Sequence, residues 1–155
     1  MARLVFAHGL EGSPQGNKAT MLRAELGAAT PWLGELDLDG QVRALDEAVG
    51  RDAPAVVVGS SLGALAALGL ARDALHRVAE LVLLAPAVGT AHLFDEHPEH
   101  ERRRPGLTDG VRRFSRLAIP AAVPATIVHG VGDELVRLDD RSEEHTSELQ
   151  SLLII

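Results

Sequence analysis

Short apolar runs alternate with helical stretches along this chain of 155 residues, and this alternation most constrains its fold. The runs are apolar throughout rather than at every second position, which is typical of strands buried on both faces of a sheet. They lie at residues 4–8, 54–58, 81–84 and 125–128, with a shorter candidate at 36–38. Helical spacing separates them at residues 18–27, 42–49 and 62–75. The order predicts an α/β fold, a mostly parallel sheet with helices on both faces.

Composition narrows the class of protein. The length fits one domain with a sizeable core. A formal net charge of −7 gives no reason to expect a nucleic-acid partner or an anionic membrane. The absence of cysteine excludes disulfides and thiolate ligands. No run approaches the ~20 apolar residues of a membrane span, and the first apolar run is too short for a signal peptide. We expect a cytoplasmic protein, and the sequence does not indicate its oligomeric state.

The strand at 54–58 leads into the pentapeptide Gly59-Ser60-Ser61-Leu62-Gly63, which opens the helix at 62–75. G-x-S-x-G between a strand and a helix is typical of a nucleophile elbow, a strained turn that lifts a serine hydroxyl clear of the sheet. Gly59 and Gly63 leave room for the neighbouring backbone. The alternative is that Ser60 and Ser61 are ordinary turn residues or helix caps.

The loop after the first strand begins His8-Gly9-Leu10, which is similar to an HG-x segment that supplies half of an oxyanion hole. On this interpretation the backbone N–H groups of Leu10 and Leu62 converge on the carbonyl oxygen of a substrate. The alternative is a glycine-rich turn in which His8 is packed or hydrogen-bonded locally. The same loop also has some likeness to a phosphate-binding loop, but at residues 12–20 the spacing of G-x-x-x-x-G-K-[ST] fails.

A third loop follows the strand at 125–128 and carries Asp133, with Glu134 next to it. A serine nucleophile needs a base, and a carboxylate that orients the base. Asp133 is the candidate for that carboxylate, and its alternative role is a helix N-cap. Glu134 is expected in the first turn of the following helix.

These segments together resemble a known family. HGLEGSPQGNKAT, VVVGSSLGALAALGLA, LLAPAV and GDELV occur in the order found in the small α/β-hydrolases of the YqiA/YcfP-like esterase branch. The resemblance implies an α/β-hydrolase fold and a cofactor-independent serine hydrolase acting on carboxylic esters or thioesters of small acyl groups. It implies Ser61 as nucleophile and Asp133 as the acid, and a histidine base in a loop beyond a further strand.

That histidine has no counterpart in the chain. His145 follows Asp133 by twelve residues with no apolar strand between them, and His129 precedes it. Three more histidines, His92, His97 and His100, lie in a segment near 89–118 that is expected to form a lid or cap. Its charged run at 95–104 is expected to be solvent-exposed rather than a metal site.

The C-terminal residues suggest a reason. Residues 141–151 match the in-frame translation of a common short-read sequencing adapter, so we expect a domain at 1–140 and a non-native tail at 141–155. The domain would then lack its last strand and helix, which would leave an open sheet edge, and it would be inactive for want of the base. The alternatives are a non-catalytic binding protein of the same fold and an acyltransferase, which would use the same residues.

Overall fold

The computed structural model describes residues 2–130 and the backbone of residues 151–154. Its strands form one parallel sheet in the order β1-β2-β3-β4-β5. The strands are β1 Arg3–Ala7, β2 Ala55–Ser60, β3 Val78–Leu84, β4 Ala125–His129 and β5 Ser151–Ile154. The helices are α1 Asn17–Leu26, α2 Leu38–Val49, α3 Leu62–Asp73, α4 Ala91–Glu96, α5 Pro98–Arg103 and α6 Leu107–Phe114, with a short 3₁₀ turn at Leu75–Arg77. The predicted α/β fold and the four main strands are confirmed.

The register brings the carboxyl ends of the strands to one edge of the sheet. Ala7 lies opposite Gly59, Ser60 opposite Leu84, and Leu84 opposite Val128. The loops that follow these strands therefore emerge side by side, and they are the loops in which the sequence places its candidate residues. Parallel α/β sheets bind ligands at this edge.

One face of the sheet carries most of the core. The helices α2, α3 and α6 cover it with buried aliphatic and aromatic side chains that pack against the inward residues of β1 to β4. Helix α3 is buried along almost its whole length, since ten of its residues, from Leu62 to Ala71, are buried. Its many alanine and glycine residues allow this close approach, because they add little side-chain volume between neighbouring elements.

The opposite face is covered more thinly. A small cluster of Phe6, Ala19 and Val58 forms its buried core, with partly buried strand residues around it. Helix α1 supplies Ala19, so helices do lie on both faces. Met21 and Leu26 of this helix are more than half exposed, whereas Leu22 packs against the cluster.

Residues 36–38 do not form the short strand that the sequence predicts. Leu38 begins α2, and Asp37 precedes it as the N-cap, its Oδ1 accepting a hydrogen bond of 2.8 Å from the Gly40 N–H. An aspartate in this position satisfies one of the helix's unpaired N–H groups. The helix therefore starts four residues earlier than predicted, and it ends at Gly50 as expected.

Residues 151–154 pair with β4 as β5, so β4 is not an edge strand. Four residues of the expected tail therefore extend the sheet by one strand, and its edge lies at β5. Their backbone groups satisfy the exposed side of β4. In the described part of the chain, no helix combines the length and the apolar character that a bilayer span requires.

Candidate active site

The turn between β2 and α3 places Ser61 in a strained backbone conformation. Its φ is 54° and its ψ is −116°, a backbone conformation that residues other than glycine rarely adopt. The turn is held to the end of β3, since the Ser61 N–H donates to the Leu84 carbonyl at 2.9 Å and the Ala87 N–H donates to the Ser61 carbonyl at 3.2 Å. Backbone strain that is fixed in this way is typical of functional sites.

Ser61 occupies the N-cap position of α3, but its side chain makes no capping hydrogen bond. Ser60 is the last residue of β2 and is buried. The interpretation of these serines as an ordinary helix cap and an ordinary turn residue is therefore wrong. The hydroxyl of Ser61 is left for other partners, and it lines a cavity.

The two flanking glycines are required by close backbone approach. A Cβ on Gly59 would lie 2.5 Å from the Cα of Ala64, and one on Gly63 would lie 2.6 Å from the carbonyl oxygen of His8. Neither obstacle is the end of a flexible side chain, so neither can move aside at low cost. The G-x-S-x-G spacing is thus a packing requirement of this turn, as the sequence predicts.

The loop after β1 lies against Ser61. Its 9–12 turn is closed by a 3.0 Å hydrogen bond from the Gly12 N–H to the Gly9 carbonyl. A Cβ placed on Gly9 would come 3.2 Å from the Cβ of Ser61 and 3.8 Å from its Oγ. The structure therefore brings together the first two candidate loops, with Leu10 and Leu62 both lining the cavity beside Ser61.

His8 holds this loop in place and uses both of its ring nitrogens to do so. Nε2 accepts a 3.1 Å hydrogen bond from the Leu33 N–H, and Nδ1 lies 3.0 Å from the Gly9 carbonyl oxygen. Because Nε2 accepts, Nδ1 carries the proton and donates to Gly9. Burial lowers the pKa of His8, which favours the neutral ring. His8 is therefore a support of the loop and not a free base.

The cavity at this edge of the sheet has a volume of about 590 Å³. Its walls come from the loop after β1, the elbow, the start of α1 and the helices α4 and α5. The lining residues include Phe6, Leu10, Leu62, Ala87, Leu93 and Phe94 on the apolar side and Ser13, Asn17, Lys18, His97 and His100 among the polar ones. A mostly apolar cavity with a few polar groups is the usual form of a small-molecule site.

The segment at 89–118 divides into two parts. Leu107, Val111 and Phe114 of α6 are fully buried in the main core, and α6 packs against α3. Helices α4 and α5, in contrast, border the cavity through Phe94, His97 and their neighbours. Of the two parts, only α4 and α5 are positioned as a cover over the cavity that Ser61 lines.

The charged run at 95–104 is mostly exposed, as expected, but Glu99, His100, Glu101 and Arg104 are partly buried. Of these, Arg104 reaches the loop after β1, where its Nη2 donates to the Leu10 carbonyl at 3.3 Å. The expectation of a fully solvated run is therefore wrong at these four residues. Sequence reasoning missed Arg104, because nothing in a run of three arginines distinguishes the one that folds inward.

The other candidate histidines differ from His8 in their positions relative to the cavity. His129 is buried at the end of β4 and does not line the cavity, and within residues 2–130 neither of its ring nitrogens has a partner. His97 and His100 do line it, and His97 Nδ1 lies 3.3 Å from Glu99 Oε1. Asp133, Glu134 and His145 lie outside the described residues. Among the residues that the structure describes, no group of three metal-ligating side chains occurs.

The sequence matches a family model over residues 4–151, and that model describes the alpha/beta hydrolase family. None of the curated proteins is significantly similar to the chain in sequence.

Solved structures with the same fold are similar over nearly the whole chain. Monoacylglycerol lipase from Paleococcus ferrophilus superposes with a TM-score of 0.70 at 15% identity, covering 98% of this chain and 83% of the lipase. Alpha/beta hydrolase domain-containing protein 10 from mouse gives 0.71 at 18% identity, over 97% and 78%. Est1E from Butyrivibrio proteoclasticus with bound ferulic acid gives 0.67 at 16% identity, over 100% and 78%. At these identities the likeness establishes the fold.

Proposed function

The chain belongs to the alpha/beta hydrolase family, and on that basis we propose that it is a serine hydrolase in which Ser61 is the nucleophile. The observation that carries this proposal is the strained backbone of Ser61 at the end of β2, with its hydroxyl free of any capping bond and lining the cavity. A serine held at this cost, with no structural use for its side chain, has the position that nucleophilic catalysis requires.

The reaction begins with attack of Ser61 Oγ on the carbonyl carbon of an ester or thioester. A base takes the hydroxyl proton, the carbonyl oxygen becomes an oxyanion, and collapse of the tetrahedral intermediate expels the alcohol or thiol with that proton. The acyl-enzyme on Ser61 is then hydrolysed by water. One of the similar structures is by name a monoacylglycerol lipase, which supports ester chemistry as the proposal.

The oxyanion is held by the backbone N–H groups of Leu10 and Leu62. Leu62 is the first residue of α3, so its N–H has no carbonyl partner within the helix. Among the described hydrogen bonds, none is donated by the N–H of Leu10 or of Leu62. Removal of one such donor elsewhere costs about 2.7–4 kcal/mol of transition-state stabilisation. The helix dipole of α3 adds to the same effect.

The base is not assigned to a described residue. His8 uses both ring nitrogens, and His129 does not line the cavity. His97 directly precedes α5 and His100 lies within it, and the side chain of His97 is more than half exposed. Asp133 is proposed as the carboxylate that orients the base. With no described histidine assigned as the base, we expect only the slow turnover that an oxyanion hole and substrate binding supply.

The cavity is large enough for the proposed class of substrate. A volume of about 590 Å³ with mostly apolar walls accommodates a small-molecule ester or thioester. Membership of the YqiA/YcfP-like branch, a cytoplasmic location, a lid formed by the segment at 89–118 and an adapter-derived tail at 141–155 stay predictions that the residue patterns support.

Hydrolysis of p-nitrophenyl acetate tests the function, with Ser61→Ala and Ser60→Ala as a matched pair. We expect slow release of nitrophenolate that is lost in Ser61→Ala and kept in Ser60→Ala. Equal rates in the wild type and Ser61→Ala would contradict a hydrolase and favour a binding protein. Ester formation on addition of an alcohol, at the expense of free acid, would instead indicate an acyltransferase.

A further inference from the structure

The segment at 89–118 meets the loop after β1 through one charged side chain. Arg104 follows α5, and its Nη2 donates to the backbone carbonyl of Leu10 at 3.3 Å, although the two residues are 94 positions apart in the sequence. Arg102 and Arg103, the two preceding residues, are exposed, whereas Arg104 is half-buried. The contact therefore depends on the position of Arg104 and not on the general basic character of the run.

The backbone around Arg104 is braced on both sides. The Arg104 N–H donates to the His100 carbonyl at 3.0 Å, and the Arg104 carbonyl accepts from the Leu107 N–H at 3.0 Å. The carboxylate of Glu101 accepts from the Gly106 and Thr108 N–H groups at 2.6 and 2.9 Å, and these bonds lower the pKa of Glu101. The side chain of Arg104 thus projects from a turn that is tied to α5 and to α6.

The charge of Arg104 acts on both sides of the 9–12 turn. Burial lowers the pKa of Arg104, while the carboxylates of Glu11 and Glu35 act in the opposite direction. The same guanidinium contributes to the lowered pKa of His8, after the larger effect of burial. A half-buried guanidinium needs acceptors to offset its desolvation, and here the Leu10 carbonyl is the one that it bonds.

We propose that Arg104 is a positioning residue for the oxyanion hole. By holding the Leu10 carbonyl it fixes the orientation of Leu10, whose N–H we have proposed as an oxyanion donor. His8 holds the same turn from the protein interior through Gly9, so Leu10 lies between two fixed points. Arg104 touches neither the substrate nor Ser61, and the inference rests on the proposed function of Ser61.

The test compares Arg104→Gln with Arg103→Gln, which removes the same charge at the exposed neighbour. Two quantities are measured on the full chain: the rate constant for modification of Ser61 by a fluorophosphonate, and hydrogen–deuterium exchange in the 9–12 turn. We expect Arg104→Gln to slow modification by about three- to tenfold, the effect of losing one charge-assisted bond. Exchange in the 9–12 turn rises in the same variant, and Arg103→Gln changes neither quantity.

Arg104→Lys separates charge from geometry. Lysine keeps the charge but lacks the planar fork of the guanidinium, so we expect an intermediate modification rate. Unchanged exchange in the 9–12 turn of Arg104→Gln would overturn the inference. A rise in exchange spread evenly over the chain would also overturn it, because it would indicate a general loss of stability. If wild-type Ser61 is not modified at all, the proposed function fails, and exchange in the 9–12 turn alone decides whether Arg104 orders Leu10.

Discussion

The backbone of Ser61 is strained, and a glycine at this position would relieve the strain. Its φ of 54° is unfavourable for any residue with a Cβ, and such strain costs on the order of 1–3 kcal/mol. Glycine at this position also makes the unfolded chain more flexible, which offsets about 0.5–1 kcal/mol of the gain. We therefore expect Ser61→Gly to be more stable than Ser61→Ala by roughly 1 kcal/mol, although both variants lose the hydroxyl.

Urea denaturation of the two variants measures this difference. Ser61→Ala is the reference because it keeps the Cβ and removes only the oxygen. A Ser61→Gly variant that is less stable than Ser61→Ala would show that the elbow is not strained in solution.

His8 makes the stability of the fold depend on pH. Burial lowers its pKa in the folded chain, so between that lowered value and about 6.5 the unfolded chain binds a proton that the folded chain does not. Stability therefore rises with pH across this window and is lost on acidification below about 6.5. In His8→Phe this part of the pH dependence disappears. The variant also costs about 1–3 kcal/mol, because the buried Leu33 N–H loses its acceptor.

The melting temperature between pH 7 and pH 5 checks both effects, with exposed His92→Gln as the control. His92→Gln should follow the wild-type curve. A His8→Phe variant whose melting temperature falls as steeply as that of the wild type would mean that His8 does not titrate in this window.

At this scale the sequence predicts the sharp turn between β2 and α3, because its close backbone approach requires glycine at Gly59 and Gly63. The sequence leaves two roles open for His8, as an oxyanion-loop residue or as a locally packed one. The hydrogen bonds of its two ring nitrogens identify it as a support of the loop. The partner that decides it, the Leu33 N–H, is 25 residues away and has no sequence signature. Arg104 was missed for the same reason.

Helix α3 requires the glycine at position 63, whereas α6 does not require the glycine at position 110. A Cβ on Gly63 would meet the backbone of the strand-to-loop turn at His8, while one on Gly110 would lie 3.4 Å from the Leu38 side chain, an ordinary contact. We expect Gly63→Ala to destabilise the fold by roughly 3 kcal/mol or more through backbone displacement. Gly110→Ala should stabilise it by about 0.5–1 kcal/mol, the usual gain inside a helix.

Thermal unfolding of the two variants provides the comparison, since both change glycine to alanine in a helix. If they shift the melting temperature equally, the close contact between α3 and the end of β1 is absent.

The sequence predicts a strand or helix correctly where burial dictates its pattern of apolar residues. The prediction fails where a single hydrogen bond decides the local structure. The four main strands are apolar because both of their faces are covered, so their positions can be read from the sequence. The region at 36–38 is shorter and has an aspartate, Asp37, between its two leucines. There the bond from Gly40 to Asp37 starts a helix, and a cap of this kind is stronger than the β-propensity of three residues.

For the whole molecule, the position of β5 leads to a prediction about solubility. Residues 151–154 pair with β4, so deletion of residues 151–155 removes these backbone bonds and makes β4 the edge of the sheet in place of β5. We expect the shortened chain to melt at a lower temperature, and therefore to associate at a lower temperature during heating, when its core becomes exposed. Light scattering during heating measures both, with a chain in which residues 151–155 are replaced by a glycine-serine sequence of equal length as the control. A shortened chain as stable and as soluble as the full one would show that β5 does not protect the sheet.

The sequence predicts the class of fold because alternation of fully apolar strands with helices allows few other arrangements. It does not predict the division of the segment at 89–118 into a core helix and a cover. That division arises from long-range packing of Phe114 against α3, which no local pattern encodes. It also does not predict a strand at 151–154, because the adapter match at 141–151 places these residues in a tail.

The central claim is that Ser61 is the reactive nucleophile of this fold, and modification by a fluorophosphonate tests it most directly. Intact-protein mass spectrometry gives the number of adducts, and peptide mapping gives their position. We predict slow formation of one adduct per chain, on Ser61, because no described histidine is assigned as the base. This adduct is retained in Ser60→Ala and absent in Ser61→Ala. An unmodified protein, or an adduct that persists in Ser61→Ala, would contradict the claim.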